Sequence, residues 1–434
     1  MSSLVALLEK IVKGLSRLTI WRYRPGIVGV TGSVGKTSTK LAIKAVLGTL
    51  RPTRVSAGNL NNELGISLTI LGDWSAAELR LISRDQPAGT ARLRKFLFWG
   101  KVILVSAWHV IVRDREYPDI LVLEYGADRP GDIKRLLRIA RPNVSVITAI
   151  GEYPVHVEFY GGPDEVAREK GRLIESLPVA GFAVLNNDDE TVMDLASRTR
   201  GKVVSYGFNK GAEVQMSRFE NRAREEEPLG IGFRIGHAGS SVPVRIDGAF
   251  GRAQAYASGA AAAVGLIFGM NLVKISEALR AYRPADARMQ LIPGIKNTHL
   301  IDDSYNASPL SMHAALDTMK DLPAERKIAV LGDMLEIGKY TPEAHERVGR
   351  LAAKSVDILF AVGLRAKFIA DAARAAGMKR QNIYSFDTAD EAGKPLQDLM
   401  RVGDLVLIKG SHAMELSKIV EEVKAIEPSS SSLV

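Results

Sequence analysis

The chain has 434 residues and a mass of 47.1 kDa, a length that suits two or three domains better than one. Its composition, with 46% hydrophobic and 25% charged residues, excludes a disordered, collagen-like or polytopic membrane protein. The chain has no cysteine, which excludes disulfides and thiolate ligands. A bound metal ion would therefore need oxygen or imidazole donors.

The net charge of +9 is concentrated in two segments, residues 1–24 and 79–115. Both segments mix basic with apolar residues, and together they contain three of the four tryptophans, Trp21, Trp99 and Trp108. The first segment has the apolar spacing of an amphipathic helix, and the apolar run 96–112 is short for a membrane span. Two interpretations stay open: the segments pack on the protein's own core, or they contact a membrane surface.

The distribution of charge also bears on partners and location. Because the basic residues are confined to two segments, we expect no nucleic-acid partner. The first segment has no small-residue cleavage site of a signal peptide. We therefore expect a cytoplasmic protein, located at the inner membrane surface if the two segments bind lipid.

From Gly26 onward, short β-branched runs alternate with helical periodicity, which predicts a parallel sheet with helices on both faces. Residues 207–250 change to exposed-strand patterns, and we expect a small antiparallel sheet there. The stretch YRPADARMQLIPG, rich in proline and glycine, predicts a domain boundary near residue 285. Strand and helix patterns then alternate again to about residue 425.

The strongest functional motif is GVTGSVGKTST. A strand, a tight glycine turn and a helix beginning with Lys-Thr would surround a phosphate chain with backbone N–H groups. Lys36 would reach the terminal phosphates, and the Thr37 hydroxyl would bind a magnesium ion. The strict form of the motif has a glycine at the position of Val30. The alternative to a phosphate-binding loop is a surface turn in which Gly-Lys-Thr occurs by chance. The predicted nucleotide contacts in this loop are Gly32, Ser33, Gly35, Lys36, Thr37 and Ser38.

A phosphate-binding loop needs a carboxylate at the end of a neighbouring strand. In DILVLEYGADRPGD, a buried-strand pattern is followed by Glu124 at the carboxyl end, the edge of an open α/β sheet where ligands bind. We expect Glu124 to bind magnesium. The alternative is a surface glutamate at a strand end.

These predictions define an α/β fold class. We expect a central P-loop ATPase domain with a parallel sheet and a small antiparallel sheet, followed by a Rossmann-like C-terminal α/β domain. The predicted units are an amphipathic basic N-terminal helix (1–24), the central ATP-binding domain (25–285) with a basic aromatic insertion (79–115), the C-terminal Rossmann-like domain (286–425) and a disordered tail (426–434).

Taken together, these motifs resemble the Mur ligase family, and four further stretches agree: SAGNLNNELGISLTIL, VHVEFYGGPDEVAREKGRLIESL, LIDDSYNASPLSM and VLGDMLEIG. The last two are typical of one branch, the ligases that add D-alanyl-D-alanine to UDP-N-acetylmuramoyl-tripeptide. The resemblance runs from about Gly26 to about Glu422.

The resemblance implies a second metal site. His156 matches a histidine ligand, and Lys170 matches a lysine that takes up carbon dioxide and becomes an anionic oxygen ligand. Without the resemblance, Lys170 would be interpreted as a solvated helix residue and His156 as structural. The implied cofactors are ATP and two Mg²⁺ ions, with Lys36, His156 and Lys170 catalytic and with metal ligands Thr37, Glu124, His156 and Lys170.

The resemblance also implies contacts to nucleotide and substrates. Arg288 matches an arginine that reaches the ATP phosphates from the C-terminal side, while Tyr305 and Asn306 match residues that close on the nucleotide. The alternative for the last two is a loop that caps the helix beginning after Ser308. The implied substrate contacts are Asn61 and Asn62 near the acceptor and Asp333, Glu336 and His345 near the incoming dipeptide.

Three departures from the family pattern stand out. The family has an N-terminal domain of about a hundred residues that holds the UDP sugar, and the phosphate-binding loop here begins too early to leave room for it. His412 stands where this branch has an arginine. Gln254 and Ala257 stand where asparagines are usual, next to the expected adenine site.

The sequence thus predicts an ATP-dependent amide ligase with small-molecule acid and amine substrates, acting as a monomer. The implied acid is a muramoyl peptide and the amine is D-alanyl-D-alanine or a similar compound, in cell-wall synthesis. Two alternatives stay open. One is another ligase of the superfamily, acting on a folate, a poly-amino acid or a lipid-linked precursor, and the other is a non-catalytic nucleotide-binding regulator.

Overall fold

The computed structural model describes residues 3–82, 92–224 and 227–425. The predicted tail, 426–434, and residues 83–91 of the predicted insertion lie outside this part of the chain. The described strands form two sheets, one of nine strands followed by one of six.

The first sheet has nine described strands. They are β1 (Gly26–Thr31), β2 (Thr53–Val55), β3 (Ile120–Glu124), β4 (Val144–Ile147), β5 (Phe182–Asn186), β6 (Lys202–Gly207), β7 (Val214–Arg224), β8 (Glu227–His237) and β9 (Ser240–Asp247). Of these, β1, β3, β4 and β5 form where buried, β-branched runs predicted them, and β7 to β9 fall in the region of exposed-strand patterns. Their order is β2-β3-β1-β4-β5-β6-β7-β8-β9. From β2 to β7 all neighbours are parallel, which brings the carboxyl ends of β1, β3 and β4 to one edge.

The small antiparallel sheet that the sequence predicted is not separate. Strands β7, β8 and β9 pair antiparallel with one another, and β7 also pairs with β6 through Tyr206 and Val214. The three strands therefore extend the main sheet. Continuous pairing covers the edge of β6, which would otherwise expose unpaired backbone groups.

Helices cover both faces of the first sheet because alternate strand residues point to opposite sides. Val28 and Val30 pack with α2, α9 and α10, whereas Ile27 packs on the other face with α3 and α6. The helices are α1 (Ser3–Tyr23), α2 (Lys36–Leu47), α3 (Glu63–Leu71), α4 (Ala76–Arg80), α5 (Arg92–Ile111), α6 (Asp132–Leu137), α7 (Pro163–Glu175), α8 (Glu190–Asp194), α9 (Arg252–Ile267) and α10 (Leu272–Leu279).

The second sheet has the order β10-β11-β15-β12-β13-β14, with β10 antiparallel and the other strands parallel. Its strands are β10 (Gln290–Gly294), β11 (Thr298–Asp303), β12 (Arg326–Gly332), β13 (Ile358–Val362), β14 (Ile383–Phe386) and β15 (Asp404–Lys409). Its helices are α11 (Pro309–Asp321), α12 (Thr341–Ser355), α13 (Lys367–Ala375), α14 (Ala389–Leu399) and α15 (Ser417–Val423).

Within the described parts of the two basic segments, the helices α1 and α5 are partly buried. The inner sides of α1 and α5 contribute Val12, Phe98 and Val102 to an apolar cluster with Leu68 and Leu71 of α3, while their outer sides are exposed. Among the described helices, none combines the length and apolar character needed to cross a bilayer.

Candidate functional site

The phosphate-binding loop connects β1 to α2. Gly32 (φ 148°) and Gly35 (φ 87°) adopt backbone angles that side chains disfavour, and a Cβ on Gly32 would collide with Thr148. The Lys36 ammonium donates a hydrogen bond to the Gly32 carbonyl at 3.0 Å, and burial lowers the pKa of Lys36. The buried Ser33 hydroxyl has no hydrogen-bond partner among the described residues. The loop can therefore offer donors to an anion at the start of α2.

Glu124 ends β3 next to this loop and is 1% exposed. Its Oε2 lies 3.0 Å from the Lys40 ammonium and accepts a hydrogen bond from the Thr37 hydroxyl at 3.1 Å. Burial opposes ionisation, but the attraction of Lys40 and Lys36 outweighs it and holds the pKa of Glu124 below its usual value. The group is thus a carboxylate at neutral pH, as a cation ligand must be.

Lys40 is a site residue that the sequence analysis missed. Besides Glu124, its ammonium donates to the Gly58 carbonyl at 2.6 Å and to the Ser56 hydroxyl at 3.2 Å. It thereby ties residues 57–62, which line the same cavity, to the phosphate-binding loop. The available signal was its position four residues after Lys36, on the same side of α2.

His156 lies on the same side of the site, in a left-handed backbone conformation (φ 72°). Its Nε2 is 3.3 Å from the Asp128 carboxylate, and its Nδ1 is 2.7 Å from the Glu336 carboxylate without hydrogen-bond alignment. Glu336 follows β12 in the second sheet, so this histidine bridges the two parts of the chain. Asp128 is a second residue that the sequence analysis missed.

Lys170 lies on α7 and is 2% exposed. Burial, and then repulsion from Lys36, lowers its pKa to about 7, while Asp128 and Glu169 act in the opposite direction. The side chain does not line the cavity, although its electrostatic interaction with Lys36 places it near the phosphate-binding loop. Burial therefore makes the uncharged amine of Lys170 more favourable than it is in an exposed lysine.

The opposite wall comes from the start of the second part of the chain. The Arg288 guanidinium stacks over the Tyr305 ring at 4.3 Å, and the Arg288 carbonyl accepts a hydrogen bond from Gln254 at 3.1 Å. Gln254, one of the departures from the family pattern, also accepts from Tyr282 at 2.6 Å. His412, another departure, lies with its ring 5.4 Å from that of Tyr305. Ala257 is buried inside α9.

Lys409 at the end of β15 organises this wall and was also missed. Its buried ammonium lies 2.6 Å from the Asp303 carboxylate and donates to the Asn306 carbonyl at 2.9 Å. Burial raises the pKa of Asp303, and the attraction of Lys409 partly offsets the rise. Ser308 caps α11 by accepting from the Ser311 amide, so the loop holding Tyr305 and Asn306 also caps that helix.

These two walls enclose a cavity of about 660 Å³, within the usual range for small-molecule sites. The predicted site residues that line it are Ser33, Gly35, Lys36, Thr37, Ser38, Asn61, Asn62, Glu124, His156, Arg288, Tyr305 and Asn306. The predicted residues that do not line it are Gly32, Lys170, Asp333, Glu336 and His345. Asn62 caps α3 through the Gly65 amide at 2.9 Å.

Two residues that the resemblance places near the dipeptide, His345 and Asp333, have backbone partners. Buried His345 accepts at Nε2 from the Met334 amide (3.0 Å), and its Nδ1 lies 2.7 Å from the Thr341 carbonyl. The Asp333 carboxylate accepts from the amides of Arg365 and Ala366. Both side chains fix the backbone of the loop 333–337, which brings Glu336 to His156.

Glu124 and Thr37 are oxygen donors beside the phosphate-binding loop that a magnesium ion could use. Within residues 3–82, 92–224 and 227–425, no group of three or more histidine and acidic side chains is arranged to hold a metal ion. Mg²⁺ commonly takes only one or two carboxylates and completes its shell with water and phosphate oxygens. Glu124 and Thr37 fit that pattern, because both present oxygens at the cavity.

Fold and site together define a nucleotide-binding α/β protein whose phosphate-binding loop faces a second α/β unit. Two family descriptions match the chain, "Mur ligase middle domain" over residues 110–265 and "Mur ligase, glutamate ligase domain" over residues 287–412. The UDP-N-acetylmuramoyl-tripeptide--D-alanyl-D-alanine ligase of Mycobacterium leprae is 30% identical over 421 residues, covering 91% of this chain and 72% of the relative. The chain belongs to the Mur ligase family.

Other comparisons agree with this assignment. The enzyme of the same name from Bacillus subtilis is 28% identical over 399 residues, 92% of this chain and 75% of the relative. Among solved structures, MurF from Thermotoga maritima in complex with ADP superposes with a TM-score of 0.76 at 24% identity, covering 97% of this chain and 84% of that one. MurF from Acinetobacter baumannii gives a TM-score of 0.74, also at 24% identity, covering 95% and 79%. The structural likeness confirms the predicted fold class.

Proposed function

We propose that this chain is an ATP-dependent amide ligase that joins D-alanyl-D-alanine or a similar amine to a muramoyl-peptide acid in peptidoglycan synthesis. One observation carries the proposal: the phosphate-binding loop and the Arg288–Tyr305 pair face each other across one cavity. The family and the names of its relatives agree with this activity.

The proposed reaction has two steps. A carboxylate oxygen of the acid attacks the γ-phosphorus of ATP, which forms an acyl phosphate and releases ADP. The amine, having lost a proton, then attacks the acyl carbon, and inorganic phosphate leaves with the electron pair of the broken C–O bond. Lys36 and Arg288 lie where their positive charges stabilise the phosphoryl group in transfer.

We propose that Glu124 and Thr37 hold one Mg²⁺ ion and that His156 and a carbamylated Lys170 hold a second. Bound Mg²⁺ neutralises the charge of the phosphate oxygens. The uncharged amine of Lys170 can add to carbon dioxide and lose a proton, giving a carbamate. The lowered pKa of Lys170 supports this step, because an ammonium group is not a nucleophile.

Three organisational proposals complete this assignment. The central domain and the C-terminal domain meet near residue 285, between α10 and β10. The protein acts as a monomer. The segments 1–24 and 79–115 contact the inner membrane surface, which their exposed apolar and basic side chains support.

The test is mass analysis of the products formed from ATP, Mg²⁺, a muramoyl tripeptide and D-alanyl-D-alanine. We expect an adduct lighter by one water than the sum of the two substrates, with one phosphate released per adduct. Lys36→Ala should reduce turnover by a factor on the order of 10² or more. Lys44→Ala, which removes an exposed lysine of the same helix, is the matched control and should retain activity. Full activity of Lys36→Ala would remove the loop from the mechanism.

A further inference from the structure

Helices α1 and α5 lie side by side and run in the same direction. The Tyr23 hydroxyl near the end of α1 donates to the His109 carbonyl near the end of α5 at 2.7 Å. Val12 lies as many residues before Tyr23 as Phe98 lies before His109. Val12 and Phe98 belong to the same apolar cluster. Both helices turn their inner sides to α3 and leave their outer sides as exposed surface.

That surface is apolar, and its residues repeat at helical spacing on both helices. More than half of the exposed large apolar side chains in the described residues lie on it. Its tryptophans, Trp21 and Trp108, are 68% and 61% exposed and stand near the same end of the helix pair. We call it the two-helix face, formed by Leu7, Ile11, Leu18, Trp21, Leu93, Phe96, Leu97, Leu104, Trp108 and Ile111.

Nearly all charged residues within the two helices are basic, although Lys101 is paired with Glu78 of α4. Glu9 is the single acidic residue in the sequences of the two helices, and it pairs with Lys13. The exposed basic residues next to the apolar stripes are Lys10, Arg17, Arg22, Arg94 and Lys101. An apolar stripe flanked by cations fits the surface of an anionic bilayer, where apolar side chains enter the acyl boundary and cations meet headgroups.

The helices that carry the two-helix face also support one end of the cavity through α4. Ala76, Leu79 and Arg80 of α4 and the following Ile82 line the cavity wall. Leu79 and Ile82 also pack in the cluster that contains Phe98 of α5, and Glu78 forms a 2.6 Å ion pair with Lys101. The segment that closes this end of the cavity is therefore seated on the helices that carry the face.

We propose that the acid substrate is anchored in an anionic bilayer through a lipid diphosphate attached to its sugar. The two-helix face holds the protein on the bilayer, and the exposed Arg80 at the cavity wall is placed to meet the diphosphate. The peptide carboxylate enters the cavity from the α4 end and reaches the phosphate-binding loop. This inference rests on the proposed ligase function and names the class of its acid substrate.

The experiment compares two acids that carry the same peptide, one linked to a nucleotide and water-soluble, the other linked through a diphosphate to a lipid in vesicles. The full chain is assayed with phosphatidylglycerol vesicles and with phosphatidylcholine vesicles at low salt. We expect at least tenfold faster ligation of the lipid-linked acid in phosphatidylglycerol vesicles than in phosphatidylcholine vesicles. The rate with the soluble acid should not depend on the vesicles.

The double variant Leu18→Gln/Leu104→Gln removes two exposed apolar side chains of the face without adding charge. It should lose co-sedimentation with phosphatidylglycerol vesicles and at least nine-tenths of the rate with the lipid-linked acid, while the rate with the soluble acid stays the same. Val179→Gln/Val402→Gln, which changes two exposed apolar side chains elsewhere, is the matched control and should behave as wild type.

Three outcomes would overturn the inference. The first is ligation of the soluble acid alone, and the second is an unchanged rate of the double variant with the lipid-linked acid. The third is a changed oligomeric state of the double variant together with no binding of the wild type to vesicles. The last outcome would assign the face to a second copy of the chain. If wild type ligates neither acid, the proposed ligase function itself fails.

Discussion

Replacing Lys40 by methionine removes one partner of a buried ion pair and keeps a side chain of similar length. Lys40 and Glu124 are each 1% exposed, and their charged atoms are 3.0 Å apart. The variant leaves the Glu124 carboxylate with Thr37 and the more distant Lys36 as stabilising partners. Loss of one partner of a buried pair costs about 3–5 kcal/mol, so we expect the free energy of unfolding to fall by that amount at pH 7.5.

The loss should depend on pH in a defined direction. In the wild type the pKa of Glu124 is lowered, so the folded state gains stability from this group above its unfolded pKa and loses it as pH falls. In Lys40→Met, burial dominates and raises the pKa of Glu124, so protonation relieves the penalty as pH falls. The difference in unfolding free energy between wild type and variant should therefore be largest at pH 7.5 and smaller at pH 5.

Urea unfolding followed by tryptophan fluorescence measures this difference, because all four tryptophans lie within residues 21–108, in the same part of the chain as Lys40. The matched control is Lys44→Met, on the exposed side of α2. The double variant Lys40→Met/Glu124→Gln should recover most of the lost free energy of unfolding. A loss below about 1 kcal/mol at pH 7.5, or one equal at both pH values, would refute the reasoning.

Three further predictions concern the loop and the buried site residues. Gly32→Ala should weaken ATP binding at least tenfold, measured by titration with a fluorescent nucleotide, because its Cβ would collide with the Thr148 hydroxyl; unchanged affinity would show that the loop adapts. Lys170→Met should abolish ligation yet leave the melting temperature equal or higher, because it removes a buried amine and burial opposes the ionisation of that amine. Retained ligation would exclude the carbamate. His345→Leu should cost about 1–3 kcal/mol of unfolding free energy by leaving the Met334 amide unpaired, and a loss of activity without that cost would instead favour a substrate contact.

Several features of this protein followed from local sequence. The strands around Gly26–Thr31 and Ile120–Glu124 and the helix beginning at Lys36 form where their patterns predicted them, because hydrophobic periodicity and glycine turns act over a few neighbouring residues. The phosphate-binding loop is likewise contiguous. The neighbouring position of Glu124 was predictable because a parallel sheet brings carboxyl ends to one edge.

Other features depended on residues far apart in the chain. Lys409 meets Asn306 across 103 positions, and no local pattern marks such a pair. The sequence alone also does not predict that His345 binds a backbone amide, because that contact depends on where the fold places the loop 333–337. The exposed-strand patterns of residues 207–250 predicted a small antiparallel sheet, but they could not show that β7 pairs with β6, through Tyr206 with Val214 and Gly207 with Gln215, and so joins the main sheet.

The sequence alone determined the elements, the phosphate-binding loop and the family, since each is written in contiguous residues. Tertiary structure decided which charges are buried together, which polar side chains bind the backbone, and that two helices distant in sequence pack against the same cluster. The physical reason is that burial and electrostatic pairing depend on distance in space, whereas periodicity depends on distance along the chain.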